Sequence, residues 1–401
     1  QSFTQYIDTK EGTGKYNPTT LEEHWNSDHM RSVRRRMLAG ETLSECEVCN
    51  DKLLNTDVYR TYFWHLFNHK YDEIAKTTDE TGYTTMKPVS WDYRFSNLCN
   101  FKCRTCGDML SSAWETEQKK HNMTNLENPN NAWMIPEVRK EITKFQDTQI
   151  EQEFSKAVEE HRIEEIYWVG GEPLMYEQHW RYMQRIIELG DGPGLYARYN
   201  TNLSRVDYQG INLYTDILDN IRDWQVCASI DGTGPVGEYI RTGLKYDSWL
   251  ENFKQGLSHA RNQRMMRLDF TLTTPGLTEV VNICNLADEL GVQILAKTTF
   301  AFTPDIAMSP LFLTKDILHS IISEILPNVT RHRAVHDLLS NLLTRPTFEE
   351  EFPDSFQEAR MQGKKRLQKL DALRGGLSFG ETIRPYEALH EWWSAIPNGL
   401  D

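Results

Sequence analysis

Long apolar runs are missing from this 401-residue chain. No segment approaches the ~18 consecutive apolar residues that a membrane-spanning helix needs. Its beginning, "QSFTQYIDTKEGTGKYNPTT", lacks the basic start and apolar stretch of a secretory leader, so the expectation is a cytoplasmic protein with no membrane partner. Positive charge is in deficit, with 44 Lys and Arg against 58 Asp and Glu and a formal net charge of −14. Such a mean field repels phosphate backbones, and nucleic acid is not an expected partner. Cysteine is absent after Cys284. No repeat of fixed period and no low-complexity tract interrupts the chain.

Apolar residues are sufficient for a core. The 39% hydrophobic fraction rises to about 45% with the 23 glycines, inside the globular range. The length allows two or three domains, or one large α/β domain with additions at its ends. From about residue 87, short β-branched or aromatic runs alternate with amphipathic stretches of helical length. The predicted strands are "KPVSWDYRF", "IEEIYWVGG", "LYARYNTN", "WQVCASIDG", "MRLDFTLTT" and "VQILAKTTF". Among the predicted helices are "YEQHWRYMQRIIELG", "GINLYTDILDNIR", "YDSWLENFKQGLSHARNQ" and "LTEVVNICNLADELG", with Gly190, Gly243 and Gly291 placed as helix-end or loop punctuation. This alternation predicts a parallel sheet with crossover helices, either open and doubly wound or a partial barrel. The expected division is an N-terminal extension over 1–86, the α/β region over 87–303 and a helical C-terminal cap over 304–401. Between Cys106 and the second strand lie residues 107 to 162, more than one helix requires. Their polar piece "QKKHNMTNLENPNNAWMIPE" reads as an insertion or lid before a helix at about 137–161.

Seven cysteines are present, and five fall in two tight groups. In a chain of this size without a leader, grouped cysteines read as metal ligands before disulfides. Cys227 and Cys284 stand alone in apolar runs and are expected to be buried thiols. Cys99, Cys103 and Cys106 form C-x3-C-x2-C. Three thiolates on one loop can hold three corners of a cubane iron–sulfur cluster with one iron left open; the alternative is a zinc site completed from elsewhere. The loop follows the first predicted strand, at the end where α/β sheets carry their chemistry. Later strand ends carry Gly170, Gly171 and Glu172 in "WVGGEPLM", and Ser229, Asp231 and Arg241 in "SIDGTGPVGEYIRTG". A glycine pair admits close approach to the backbone, a carboxylate pairs with an ammonium, and a guanidinium suits a carboxylate.

Over residues 87 to 303, the cysteine loop with the later "GGEP", "NTN" and "SIDG…R" segments resembles the radical S-adenosylmethionine (SAM) superfamily. The resemblance implies a partial (β/α)6 TIM-like barrel. Cys99, Cys103 and Cys106 would bind a [4Fe-4S] cluster whose fourth iron is chelated by SAM. Glu172 with the Gly170 and Gly171 backbone would hold the SAM ammonium. Asn202 and Ser229 would lie near the ribose, Arg241 near the carboxylate, and Lys297 to Phe300 near adenine. The implied chemistry is reductive cleavage of SAM to a 5′-deoxyadenosyl radical that abstracts hydrogen from substrate, with a flavodoxin or ferredoxin as electron donor. A peptide or protein side chain is the first substrate expectation, and a small metabolite or nucleotide the second. At the residue before the third cysteine, usually aromatic in the family, this chain has Thr105.

A second group, Cys46 and Cys49 followed by His65 and His69, has the spacing C-x2-C-x15-H-x3-H. It falls within zinc-site spacing, with both histidines expected on one helical face; a second iron–sulfur cluster is the other metal reading. The layout resembles twitch-domain radical SAM proteins, which share an N-terminal C-x-x-C region. Their auxiliary cluster takes cysteines from beyond the barrel, and this chain has none there. A non-catalytic protein stabilised by zinc at both groups is the reading from a different class.

Overall fold

The computed structural model describes residues 7–8, 15–16, 19–47, 59–94, 96–124, 129–299 and 306–398. They form two compact units, one of residues 1–89 with 125–163, the other of 90–124 with 164–401. In the first unit, Val138 and Ile142 of the helix Pro136–Phe145 form a small core with Trp133 and Met134 just before it. The N–H of Leu21 donates to Glu153 Oε2 at 3.0 Å, tying the N-terminal part to the helix Glu151–Glu159. Of the segment 107–162 expected as an insertion, the part from 125 onward is therefore built into one unit with the N-terminal residues, and 107–124 belong to the other unit. Arg34, from the basic helix Asp28–Leu38, lies 4.5 Å over the Trp25 ring, and the Trp25 indole N–H donates to Met86 O at 2.8 Å.

The second unit is organised by six strands: β1 (Ser90–Tyr93), β2 (Glu165–Trp168), β3 (Tyr196–Thr201), β4 (Asp223–Ser229), β5 (Met266–Leu272) and β6 (Gln293–Thr298). All six strands expected from the sequence are present. They pair in parallel and in chain order from β1 to β6. A doubly wound sheet reverses its strand order at a switch point. No reversal occurs here, so the doubly wound alternative is set aside. Helix α1 (Ser112–Lys120) follows β1, α2 (Glu177–Glu188) follows β2, α3 (Gly234–Ile240) and α4 (Tyr246–His259) both follow β4, and α5 (Val280–Leu290) follows β5. Gly291 closes α5 in the left-handed conformation at φ 65°, as its position predicts.

Side chains alternate across the strands. Ile166, Trp168, Tyr199, Val226, Leu268 and Phe270 are completely buried on one face. The opposite face is polar. There the Tyr167 hydroxyl donates to Asn200 Oδ1 at 2.8 Å, Asn200 Nδ2 to Asp269 Oδ2 at 2.9 Å, and Lys297 Nζ to both Asp269 oxygens at 2.8 Å. Asn200 lies on β3 and Asp269 on β5, so their bond reaches across β4 above Cys227, the register partner of Asn200. Flat neighbouring strands would hold those backbones about 9.6 Å apart. Convergence of side chains over the intervening strand closes that span.

One helix expectation fails. Residues 210–222 form instead a hairpin arm, a π-turn at Leu213–Ile217 and a 3-10 turn at Leu218–Asn220. Gln209 (φ 50°) and Gly210 (φ 86°) make the paired positive-φ turn that favours a two-residue hairpin. Asn212 then accepts from the Tyr214 and Thr215 N–H groups, and Asn220 donates to the Thr215 and Asp216 carbonyls. These side chains take the backbone groups that a regular helix would have used.

The longer helices of the C-terminal region are α6 (Lys315–Ile325), α7 (Arg333–Thr344), α8 (Pro353–Arg374) and α9 (Glu387–Ala395). Buried Lys364 on α8 donates to the Trp393 and Ile396 carbonyls at 3.1 and 2.6 Å, capping the C-terminal end of α9. No helix among the described residues is long and apolar enough to cross a membrane.

His179 of α2 is fully buried, edge-on to Trp168, Trp180 and Tyr199, with Nε2 3.0 Å from the Tyr199 hydroxyl. Burial holds its imidazole down at about 3. The unfolded chain takes up the proton near pH 6.5 and the folded chain does not, so this residue's contribution to stability falls as pH drops from 6.5 towards 3. The slope approaches about 1.4 kcal/mol per pH unit. Denaturant unfolding of His179→Leu at pH 7, 6 and 5 is expected to show that one-proton slope removed; an unchanged slope would contradict the assignment.

Candidate functional site

The loop after β1 carries Cys99, Cys103 and Cys106 and is held along both sides by backbone. On the β2 side, the N–H groups of Val169, Gly171 and Glu172 donate to the carbonyls of Tyr93, Ser96 and Leu98 at 3.2, 3.2 and 2.8 Å. On the α3 side, the N–H groups of Lys102 and Arg104 donate to the carbonyls of Thr242 and Ile240 at 2.7 and 2.8 Å. Both approaches need glycine. A Cβ at Gly171 would stand 2.4 Å from Leu98 O, and one at Gly243 (φ 113°) would stand 2.9 Å from the Phe101 ring. The close approach expected for a ligand at Gly170 and Gly171 is thus made by the cysteine loop itself. The carbonyls of those two glycines accept no hydrogen bond among the described residues.

Burial raises the thiols of Cys99 and Cys103 to about 12. Three donors nevertheless aim at these two sulfurs. The Phe101 N–H lies 3.4 Å and Asn202 Nδ2 3.9 Å from Cys99 Sγ, and Arg241 Nη1 lies 3.9 Å from Cys103 Sγ. A neutral thiol is a weak acceptor. Amide and guanidinium donors around it suit a thiolate whose charge a metal centre holds. Cys106 is half-buried, with Sγ 3.7 Å from the Gly107 carbonyl. No three His, Cys, Asp or Glu side chains among the described residues are grouped as a single-ion site would require.

Glu172 is 1% exposed and joins the ends of β2 and β3. Its Oε1 accepts from the Leu174 N–H at 3.0 Å and the Thr201 hydroxyl at 2.6 Å, and Oε2 from the Asn202 N–H at 2.6 Å. Burial raises this carboxyl to about 7 against the pull of those donors. One of roughly four acceptor positions remains. Asn202 itself points at the loop, donating to Asn100 Oδ1 at 3.0 Å, just before buried Leu203 in the strained φ 50° conformation.

Asp231 is fully buried and pairs with Arg241, Nε to Oδ2 at 2.8 Å and Nη2 to Oδ1 at 3.1 Å, while the Thr271 N–H adds a bond at 3.0 Å. Burial pushes the Asp231 carboxyl upward and Arg241 opposes it. Arg241 is accordingly a bridge between Asp231 and Cys103. Ser229 is half-buried at the end of β4, in register with Asp269. Thr105 is half-buried, Lys297 is engaged by Asp269, and Phe300 lies outside the described residues.

Sequence reasoning missed the outer clamp on the loop. Arg104, 1% exposed, pairs with Asp371 at 2.9 Å, donates to the Tyr239 carbonyl at 3.0 Å and lies 3.8 Å over the Tyr239 ring. Arg374 pairs with Glu117 at 2.6 Å, donates to Lys102 O at 3.0 Å and lies 4.3 Å over Trp114. The Trp114 indole N–H donates to the Cys103 carbonyl at 2.7 Å. The available signal was the two cations, Lys102 and Arg104, inside the cysteine spacing.

Three of the four residues of the N-terminal group, Cys46, His65 and His69, fall within the described region. Cys49 lies outside it, and Cys46 sits in a 3-10 turn at Ser44–Cys46. His65 and His69 are exposed, but the helix Tyr59–Phe67 ends before His69, which belongs to the 3-10 turn Asn68–Lys70. The two histidines expected on one helix thus belong to adjoining helical elements of different type. Asn68 is a poor residue for a helix interior because it competes for backbone groups.

No known protein family and no curated protein sequence matches the chain. Two solved structures to which the chain shows similarity are Streptococcus suis SuiB bound to S-adenosylmethionine and the same protein bound to precursor peptide SuiA. The first is 11% identical, with TM-score 0.38 over 70% of this chain and 52% of that one; this chain thus spans about half its length. The second is 10% identical, with TM-score 0.39 over 86% and 71%.

Gly107 provides an internal control for the grip on the loop, since a Cβ there meets nothing within 4 Å. Gly171→Ala is expected to destabilise the chain by about 3 kcal/mol, and Gly107→Ala by less than about 0.5 kcal/mol. Denaturant unfolding of the two variants measures the difference; equal stability would remove the close backbone contact as a determinant of the loop.

Proposed function

We propose that the chain is a radical SAM enzyme in which Cys99, Cys103 and Cys106 hold a [4Fe-4S] cluster and SAM occupies its open iron. The observation that carries this reading is the set of N–H and guanidinium donors directed at the Cys99 and Cys103 sulfurs from the loop, Asn202 and Arg241. Sequential parallel strand order and side chains converging across β4 support a partial (β/α)6 barrel. When bound, the cluster and SAM supply reductive cleavage and a 5′-deoxyadenosyl radical that takes hydrogen from the substrate.

The chain's own residues divide the remaining work. The carbonyls of Gly170 and Gly171 are available for the SAM ammonium, while the Glu172 carboxylate chiefly joins β2 to β3. Arg241 offers its remaining N–H groups to the SAM carboxylate, held in orientation by Asp231. Asn202 and Ser229 stand at the strand ends where the ribose would lie, and the end of β6 would take adenine. The polar row of Tyr167, Asn200, Asp269 and Lys297 presents donors and acceptors suited to peptide amides, favouring a peptide or protein side chain as substrate.

Anaerobic reconstitution tests the reading. Wild-type chain with iron, sulfide, a chemical reductant and SAM is expected to yield 5′-deoxyadenosine. Cys99→Ala is expected to bind less iron and lose that product by at least about a hundredfold. Failure to take up iron and sulfide, or equal product from both proteins, would defeat it.

A further inference from the structure

A cleft of about 370 Å³ lies between α1 and α8, walled by Trp114 and Met123 on one side and by Lys365, Arg366, Lys369 and Leu370 on the other. Its charge opposes that of the molecule. The chain carries −14 overall, yet residues 360–374 of α8 hold six cations and a single acid, Asp371. The three cations outside the cleft have structural partners: Lys364 caps α9, Arg374 pairs with Glu117, and Arg360 lies 5.3 Å from the Phe356 ring. Lys365 and Lys369 are exposed, one helical turn apart, and have no ion pair among the described residues. Arg366 lies 5.6 Å from the Trp114 ring. Nearby acids are engaged, Glu115 by Lys119, Glu117 by Lys102 and Arg374, and Glu358 by the Gln362 amide.

Trp114 also forms the back of this cleft and donates its indole N–H to the carbonyl of Cys103. A group seated in the cleft is therefore separated from the proposed cluster ligand by one aromatic ring, one hydrogen bond and one residue. We propose that the α1–α8 cleft is the docking surface for an acidic one-electron carrier protein, which delivers its electron towards Cys103 past Trp114. The proposal rests on the cluster reading above. One electron leaves the carrier and enters the cluster, with no atom transferred. Exposed lysines on an open helix face suit the broad acidic surface of a protein better than an enclosed small anion, and rim charges of this kind act through steering and salt-dependent association.

The test is calorimetric titration of the full chain with an acidic flavodoxin at roughly 50 mM and roughly 300 mM salt. Wild-type binding is expected to weaken by about tenfold or more at the higher salt, and Lys365→Glu/Arg366→Glu/Lys369→Glu to weaken it by about tenfold at the lower. Charge reversal at exposed Arg333 is expected to leave binding unchanged. Unaltered affinity in the triple variant overturns the docking surface, as does tight binding of a polyglutamate peptide without any of flavodoxin. A chemical reductant separates the two readings. Equal 5′-deoxyadenosine from reconstituted wild type and triple variant supports a carrier-specific role, and a large loss in the variant overturns it. Absence of product from reconstituted wild type defeats the cluster reading and removes the electron-delivery role with it, even where flavodoxin binds.

Discussion

The candidate site depends on a backbone sandwich. The cysteine loop lies between the end of β2 and the turn after α3, bonded to both by main-chain hydrogen bonds. Backbones can approach this closely only where side chains are missing, at Gly171 on one side and Gly243 on the other. Main-chain bonds fix the loop with little dependence on rotamers. The three thiols therefore start from a held backbone rather than a freely moving one.

Electrostatics add a second level of order. Buried Asp231 orients Arg241 towards the Cys103 sulfur, and buried Glu172 holds the turn that carries Asn202 towards Cys99. Each carboxylate is raised by burial and stabilised by several donors, an arrangement more costly to break than to complete. Hydrogen bonds to cluster sulfurs also tune reduction potential. In the proposed function, the same groups that position the loop would also set how readily a bound cluster accepts an electron. On the loop's outer side, the Arg104–Asp371 and Arg374–Glu117 pairs tie it to α8, so the C-terminal helices form part of the site's support.

Legibility in the sequence followed the range of the interaction. All six strands could be read because strand alternation and burial on one face leave a period in neighbouring residues. The helix expected at 210–222 failed because the apolar spacing of Leu213, Tyr214, Ile217 and Leu218 fits a helix as well as the tight turns that occur. There the positive-φ turn and the Asn212 and Asn220 side chains decide the outcome. His65 and His69 had helical spacing, and the helix stopped between them. Glu172, Asp231 and Arg241 were recognisable as residues of interest, but their partners were not. Arg104 and Asp371 are separated by more than half the chain, and no local pattern marks them as a pair.

The sequence by itself determined the order of strands and helices, the spacing of three thiols on one loop, and the placement of glycines, carboxylates and a guanidinium at successive strand ends. These are properties of neighbours, governed by local propensity and periodicity. Only the tertiary structure decided that Gly171 admits the loop's own backbone, that Glu172 and Arg241 are already engaged by buried partners, and that a basic cleft on α8 stands behind Cys103. Those facts depend on which distant segments meet, and that is set by packing of the whole sheet and its helices rather than by any stretch read alone.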